Sequence, residues 1–199
     1  MQIERVAAET ALVPIIGTAP LIVNRFPEKA KKAMLDAMQG RSTMRSAKNP
    51  DAEYEAAFYR LKSDGGFGVP SVAFKQATIG GARYYDKKVT MTSLRQMMFF
   101  AGEPAEDGQL LTRIEGSPQM FEAVVGVGSG HDLRYRPLFN EWSAVLEVTF
   151  VKSSLTLESL LSLIDAGGMG VGVGEWRPER KGDYGTYKID LTKNVEVRS

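Results

Sequence analysis

The pattern of apolar and polar positions is clearest in the last third of the chain. From Ser143 to Val151, apolar residues alternate with more polar ones, which predicts a half-buried strand. Leucine and isoleucine then recur at helical spacing, which predicts an amphipathic helix that Thr156 caps and Gly167 ends. Another strand is predicted over Gly185–Leu191. The order in this region is therefore strand, helix, strand.

The first half of the chain contains one long apolar segment and two helical patterns. Ala11–Val23 is rich in β-branched residues but is interrupted by prolines and a glycine, which predicts a strand with a bulge or kink that lies near a sheet edge for part of its length. One helix is predicted over Pro27–Gly40 and a second from Pro70 to Tyr85. The apolar stripe of the first helix is expected to be buried, and it consists of Ala30, Ala33, Met34, Ala37 and Met38.

Between these helices the periodicity is lost. Residues 41–67 mix basic, small and aromatic side chains, which predicts an inserted, mobile arm with a short helix around Ala52–Leu61. Lys88–Met98 is predicted to be extended, Leu110–Ile114 to be a short strand, and residues 117–130 fit either a strand or a helix. The 199 residues suit a single domain that carries this insertion.

Composition excludes several kinds of chemistry. The chain has no cysteine, so it has no disulfide, thiolate nucleophile or cysteine-based metal site, and its only histidine is His131. Asp132, Asp165 and Asp183 have no spacing that indicates a metal pair, and no cofactor is expected. The N-terminus lacks the pattern of a secretory signal, and no apolar window is long enough to cross a membrane. A cytosolic location is the resulting expectation.

Charge is distributed unevenly along the chain. The net charge is +1, but residues 25–95 contain 14 Lys and Arg against 7 Asp and Glu, whereas residues 96–199 contain 10 against 15. A basic region on an otherwise acidic protein suggests a surface that faces a polyanion, although solvated helix faces would give the same pattern. The cations that charge alone marks as candidates for nucleic-acid binding are Lys29, Lys31, Lys32, Arg41, Arg45 and Lys48.

A glycine-rich run, Ala166–Tyr187, leaves the last predicted helix and enters the last predicted strand. Glycine accepts positive φ angles, so Gly170, Gly172 and Gly174 can present N–H groups either to an anion or to a packed neighbour. A dinucleotide-binding motif would leave a strand and open a helix, which is the reverse order, and there is no Walker A sequence. The run is therefore a loop that permits a close approach of backbone or polyanion.

Two segments resemble a known family. The run GMGVGVGEWRPERKGDYGTYKI is similar to the C-terminal glycine-rich loop of the RAMP superfamily, whose members form the backbone and processing subunits of CRISPR effector complexes. The segment GVPSVAFKQATIGGARY, residues 68–84, is similar to the segment that opens the first conserved helix of that family. The chain also resembles small phage-encoded proteins that share the GTAPLIVNRF and GVGEWRP segments.

The resemblance implies an α+β protein with a modified ferredoxin-like (RRM-like) antiparallel sheet backed by helices, in which residues 41–67 form a thumb-like insertion. It implies single-stranded RNA, or single-stranded DNA in a phage protein, held through backbone phosphates by copies that assemble side by side as a homo-oligomer or filament. Lys75 and Arg83 match basic positions of the family, and Gly172, Gly174 and Arg177 belong to its glycine loop.

Two other functions fit the same residues. A protein-docking subunit mimic, in the manner of an anti-CRISPR decoy, would bind a CRISPR-type effector complex through the acidic part of the chain. A RAMP-type endoribonuclease would use His131 as a general acid or base.

The leading hypothesis is a non-catalytic binding protein in the cytoplasm, or in the host cytosol if phage-encoded. Trp142 and Trp176 are expected to be packing residues rather than platforms for bases.

Overall fold

A computed structural model of the chain describes residues 5–41, 47–85, 90–127 and 130–198, apart from the side chains of Lys29, Ala30 and Val127. The helices are α1 (Glu28–Met38), α2 (Pro50–Ala56), α3 (Ser71–Gly81), α4 (Met91–Met97) and α5 (Leu157–Gly170). The strands are β1 (Ala8–Gly17), β2 (Leu21–Ile22), β3 (Tyr59–Arg60), β4 (Phe67–Pro70), β5 (Met98–Phe100), β6 (Glu103–Pro104), β7 (Leu110–Glu115), β8 (Pro118–Val127), β9 (Gly130–Phe139), β10 (Ser143–Val151), β11 (Tyr187–Ile189) and β12 (Glu196–Arg198). Short 3₁₀ turns follow α3 and precede β11.

The main sheet has the strand order of a ferredoxin-like fold. Its central path is β11-β1-β10-β7-β4-β3, and every pairing is antiparallel. Counting β1, β7, β10 and β11 as the four strands of the motif, α3 connects the first to the second and α5 connects the third to the fourth. The predicted α+β fold with an antiparallel sheet backed by helices is confirmed.

The core lies between this sheet and the two connecting helices. Inward-facing residues of β1 and β10 alternate with outward-facing ones, and they pack against the apolar faces of α3 and α5. Fully buried side chains include Ile15 of β1, Leu146 of β10, Phe74 of α3 and Ile164 of α5. One face of the sheet is thus covered by α3 and α5.

Glycines let α3 and α5 cross at backbone contact. A Cβ atom on Gly81 would lie 2.6 Å from the Leu163 carbonyl oxygen, and one on Gly167 would overlap the Ala77 carbonyl. A Cβ on Gly168 would overlap the carbonyl of Tyr187 in β11. The glycines at the end of α5 therefore fix the helix against both α3 and the sheet.

The kinked apolar strand predicted near the N-terminus is β1, and it lies inside the sheet. β1 pairs with β10 along nine residues, and on its other side it pairs with the two short strands β11 and β12. The carbonyl of Pro14 accepts the N–H of Asp190 at 2.9 Å, so the side of Pro14 that lacks a donor faces the gap between those short strands. The sheet tolerates the proline because no ladder bond is required there.

Residues 41–67, predicted as a mobile arm, include several residues that contact the body of the protein. Ala57, Phe58 and Leu61 are buried, β3 pairs with β4, and α2 packs on β9 of a second sheet with the order β2-β9-β8. The short helix predicted around Ala52–Leu61 is α2, which begins at Pro50 and ends at Ala56. It begins there because Asn49 caps it by accepting the N–H of Ala52. Movement of this segment stays a prediction.

The buried stripe predicted for the first helix is wrong. In α1, Met34, Ala37 and Met38 are exposed, Met38 to 85%, and Ala33 is half-buried. The spacing is helical, as predicted, but no other element of the described chain packs closely against this face of α1. An amphipathic pattern shows which face is apolar without showing that the same molecule covers it.

Other local predictions have mixed outcomes. The extended segment predicted at Lys88–Met98 is mostly wrong within the described residues, since α4 occupies 91–97 and Thr90 caps it by accepting the N–H of Ser93. The ambiguous residues 117–130 contain β8, a strand. Helix α5 continues three residues beyond Gly167, which places Gly170 in the helix. With 14 residues, α5 is the longest helix described, and none has the length and hydrophobicity of a membrane span.

The glycine contact leads to a test of the fold. We expect Gly167→Ala to lower the unfolding free energy by about 2 kcal/mol because the added methyl group forces α3 and α5 apart. For a chain of this size this is a fall in Tm of about 5 °C. Gly126→Ala is the matched control, since no atom lies within 4 Å of the position of its Cβ. Equal Tm values for the two variants would contradict the account.

Arg113 leads to a second test, based on pH. Its guanidinium donates to Glu103 at 2.9 Å and to Asp64 at 2.8 Å, and these bonds lower the pKa of each carboxyl below its ordinary value of 4.5 or 3.8. A lowered pKa in the folded state stabilises the protein above the ordinary value, and the stabilisation is lost as pH falls through the lowered pKa. We expect Arg113→Gln to be less stable than the wild type at neutral pH and the difference to shrink below about pH 4. A difference that stays constant in urea unfolding from neutral pH to pH 3 would contradict this.

Candidate nucleic-acid interface

Two neighbouring cavities have Tyr59 in common, and we name the surface that they make up together the Tyr59 groove. The first cavity, of about 260 Å³, is bounded by Pro70 and Ala73 at the start of α3 and by Gly174 and Arg177 of the glycine-rich loop. The second, of about 510 Å³, lies on the other side of Tyr59. The groove therefore brings together the two sequence segments that resemble the RAMP family.

The second cavity is bounded by cationic and aromatic side chains near α1. Arg25, Phe26 and Lys31 line one side of it, and the turn at residues 107–109 lines the other. Phe26 is 51% exposed. The hydroxyl of Tyr59 donates to the carbonyl of Asn24 at 3.4 Å, and burial raises the pKa of this hydroxyl, so Tyr59 is neutral at physiological pH.

The start of α3 contributes partial positive charge to the groove. The helix begins at Ser71 after Pro70, and no described side chain caps its first N–H groups. The macrodipole of this 11-residue helix favours an anion at that end. The same cavity holds Arg177, so a cationic side chain and the positive end of the helix dipole both border it.

Each cation of the groove also contacts a carboxylate. Arg177 donates to Glu179 at 2.7 Å and to the carbonyl of Gly174 at 3.1 Å. Arg25 donates to Asp107 at 3.1 Å, and the bond from the Gln109 N–H and this bond from Arg25 lower the pKa of Asp107. Lys31 bonds Glu28 at 2.6 Å. These exposed or half-exposed pairs are weak, and a guanidinium with five donors can bind a phosphate while keeping its carboxylate.

A chain of alternating charges holds the wall of the groove. Glu175 follows Gly174 and accepts from Asn24 at 2.5 Å and from Arg136 of β9 at 3.1 Å. Arg136 is 11% exposed and also reaches Glu53 of α2 at 3.3 Å. The network therefore joins the glycine-rich loop, the second sheet and α2, and it fixes where the loop lies.

The glycines predicted as binding residues pack against the protein itself. Gly172 and Gly174 have φ angles of +68° and +80°, as the predicted loop requires. The N–H of Gly172 bonds the carbonyl of Gly167, and a Cβ on Gly174 would overlap the carbonyl of Ile22. The sequence left two roles open for these glycines, binding an anion and packing against a neighbour, and the structure shows packing. The loop also brings Gly174 and Arg177 to the groove.

The structure does not bring Lys75 and Arg83 to the groove. Lys75 of α3 donates to the carbonyl of Arg95 at 3.0 Å and lies over the ring of Phe99, 5.1 Å from its centre. Arg83 is exposed in the 3₁₀ turn after α3. Neither of them lines the groove with Arg177, and a role for Lys75 and Arg83 in binding stays a prediction.

The other predicted cations are dispersed. Lys31 lines the groove, Lys32 is exposed on α1, and Arg41 lies 3.6 Å from Asp36. Lys48 contacts Asp132 and the carbonyl of Leu133 on β9. Arg45 and the side chain of Lys29 lie outside the described residues. Binding by any of these cations stays a prediction.

The structure describes the surroundings of Trp142, Trp176 and His131. Trp142 is buried and donates to the carbonyl of Ala19 at 2.9 Å, so it packs as predicted. Trp176 is 36% exposed and packs edge-on against Phe121 and Tyr184, and its role as a packing residue rather than a platform for bases stays a prediction. His131 is exposed near the end of the β8–β9 hairpin. Within the described ranges, no three His, Asp or Glu side chains come close enough to hold a metal ion.

The sequence did not mark Arg25, Phe26 or Tyr59 as candidates for the binding site. Only the tertiary fold brings together the segment after β2, the strand β3 and the glycine-rich loop. It also missed the network on β9. A signal for the network was present: Asp132, Arg134 and Arg136 are spaced by two, which places them on one face of a strand.

Comparison with solved structures shows a similarity of fold. No protein-family model matches the chain, and no curated protein matches it in sequence. Its structure is similar to a chain in the cryo-EM structure of the type III-B Cmr-beta complex bound to cognate target RNA, with 8% identity and a TM-score of 0.50. The match covers 96% of this chain, which spans 60% of the length of that protein.

A second similar structure is the crystal structure of Cmr6 from Pyrococcus furiosus, with 11% identity and a TM-score of 0.44, covering 94% of this chain and all of Cmr6. The chain therefore has a fold similar to that of a chain of the type III-B Cmr-beta complex.

Proposed function

We propose that this protein binds single-stranded nucleic acid, RNA in preference to DNA, in the Tyr59 groove without cleaving it. Copies would assemble side by side along the strand. The observation that carries the proposal is the groove itself, where the glycine-rich loop, the start of α3 and the Arg25–Lys31 segment meet around the exposed ring of Phe26 and the half-buried ring of Tyr59.

The cations of the groove suit a phosphate backbone. Arg177 and the first turn of α3 lie at one end, and Arg25 and Lys31 lie at the other, with Tyr59 between them. Phosphate contacts of this kind supply affinity that depends on salt and not on base sequence. The glycine-rich loop positions Arg177, and its own N–H groups at residues 172, 173 and 175 bond protein carbonyls.

The aromatic rings suit unpaired bases. Phe26 is exposed next to Arg25 and Lys31, and Tyr59 forms the boundary between the two cavities. Bases stack on aromatic side chains when they are not paired, so such a groove favours a single strand over a duplex. This arrangement supports binding of single strands in particular.

The choice of RNA has separate support. The similar Cmr-beta structure was determined with cognate target RNA bound, and it shares the fold of this chain. A shared fold does not by itself assign a ligand. It agrees with the groove, however, and it makes a CRISPR-type effector complex a second partner of the proposal.

The non-catalytic part of the proposal follows from the position of His131. This exposed residue lies near the end of the hairpin and does not line the Tyr59 groove. A general acid or base must reach the proton that it transfers. We therefore expect RNA to be recovered intact after incubation with the protein.

The first test of the proposal is the salt dependence of binding. Arg25→Ala, Lys31→Ala and Arg177→Ala are combined in one variant, and binding to labelled single-stranded RNA, single-stranded DNA and duplex DNA is followed by fluorescence anisotropy. We expect tight binding of single strands by the wild type. In the variant, the slope of log affinity against log salt should fall by about 2, because each phosphate contact contributes about 0.7.

The matched control removes the same charge elsewhere. Lys152→Ala, Lys188→Ala and Arg198→Ala replace three exposed cations outside the groove and should leave the salt slope nearly unchanged. Equal losses in the two triple variants would contradict the assignment of the groove. A wild type that binds no nucleic acid would contradict the proposal and favour the protein-docking role.

The second test concerns base stacking. We expect Phe26→Ala to weaken binding of single-stranded RNA by about 1–3 kcal/mol, the range for loss of one stacked base. Phe99→Ala is the control, because Phe99 is 55% exposed and lies outside the groove. Both variants are compared by anisotropy at one salt concentration, and equal affinities would show that no base stacks on Phe26.

A further inference from the structure

Helix α1 presents an apolar face that its own chain leaves uncovered. Met34, Leu35 and Met38 are all more than half exposed, and with Lys31 they have the spacing i, i+3, i+4 and i+7 on one side of the helix. Lys32 lies beside this set, one turn before Leu35. A short amphipathic helix with such anchors is the form that docks in a groove of a partner.

The face of the main sheet that α3 and α5 leave open contains a trough of about 530 Å³, which we name the sheet trough. Its floor includes Leu12 of β1 and Val145 of β10, and Val145 is 53% exposed although it lies in a central strand. Residues 101–103 and Lys193 also line it. Leu12 and Val145 give the trough an apolar part to which the apolar side chains of a helix can bind.

The charges of the two surfaces are opposite. Glu115 and Glu147 line the sheet trough, and among the described residues neither has a Lys or Arg within 4 Å. The other charged residues of the trough are already paired, Glu103 with Arg113 and Lys193 with Asp190. On α1, Lys32 is exposed and no described carboxylate lies within 4 Å of it. An acidic trough and a basic helix are therefore both present on every copy.

From this complementarity we infer that α1 of one copy docks in the sheet trough of a second copy. Met34, Leu35 and Met38 contact Leu12 and Val145, and Lys32 pairs with Glu147 or Glu115. The two surfaces differ, so the contact is heterologous: each copy uses its helix on one neighbour and its trough on another. Such a contact forms an open row of copies unless the rotation closes a ring.

This inference deepens the assembly part of the proposed function and does not depend on the Tyr59 groove. None of Met34, Leu35, Met38, Leu12 or Val145 lines the groove. Docking can therefore be measured without nucleic acid. A loss of docking and a loss of nucleic-acid binding are separate results.

The absence of cysteine from the sequence makes a direct test possible. Leu35→Cys and Val145→Cys are made in separate full-length proteins, which are mixed without nucleic acid and treated with a short bismaleimide. We expect mixed covalent dimers at a several-fold higher yield than for Leu35→Cys mixed with Val124→Cys. Val124 is the matched control, since it is 63% exposed on β8, outside the sheet trough.

The charge pair is tested in the same assay. Adding Lys32→Glu to the Leu35→Cys protein should lower the yield up to about fivefold, the effect of one surface ion pair of about 1 kcal/mol. Adding Glu147→Lys to the Val145→Cys protein should restore it. Circular dichroism of each variant checks that it is folded.

Three results would overturn the inference. The first is a yield with Val145→Cys no higher than that with Val124→Cys. The second is crosslinking of Leu35→Cys to itself in preference to the mixed pair, which would indicate a two-fold contact between helices. The third is a yield that Lys32→Glu leaves unchanged.

Discussion

The backbone contact between α3 and α5 at Gly81 and Gly167 is the constraint on which the other parts of the structure depend. A side chain at either position would collide with the main chain of the other helix. Where the chain leaves α5, Gly170 and Val171 lie against Tyr84 and Gly80 near the end of α3, and residues 174–177 then reach the start of α3. The glycine-rich loop is thereby placed beside Pro70 and Ala73, and one side of the Tyr59 groove is formed. The glycines act as packing residues first, and the position of Arg177 follows from them.

Two sets of ion pairs have different roles at the groove: one stabilises its wall, and the other contains the cations that can bind a ligand. Arg136 pairs with Glu53 and with Glu175, and these ion pairs connect three separate segments. Removing paired charges from water costs less net free energy than removing isolated ones. The groove cations Arg25, Lys31 and Arg177 are more exposed and weakly paired, so a polyanion can compete for them. The network around Arg136 thus stabilises the shape of the groove, and the groove cations can exchange their carboxylate partners for a ligand.

Sequence patterns predicted the parts of the fold that local chemistry determines. Strand β10 and helices α3 and α5 follow from alternation, helical spacing and capping, and the two segments that resemble the RAMP superfamily line one cavity. The predictions failed where tertiary contacts decide. The apolar stripe of α1 has the right period, but nothing in the sequence says whether its partner lies in the same molecule. Arg25 and Tyr59 carry no local motif and acquire their place only when β2 and β3 approach the loop.

The most direct measurement of the central claim is photo-crosslinking of the full-length protein to thiouridine-substituted single-stranded RNA, followed by peptide mass spectrometry. The account predicts crosslinks in the peptides that carry Phe26 and Tyr59, with few in those that carry Phe99 or Val145. Crosslinks concentrated on the open face of the sheet, as in the peptide with Val145, would contradict the assignment of the Tyr59 groove as the nucleic-acid site.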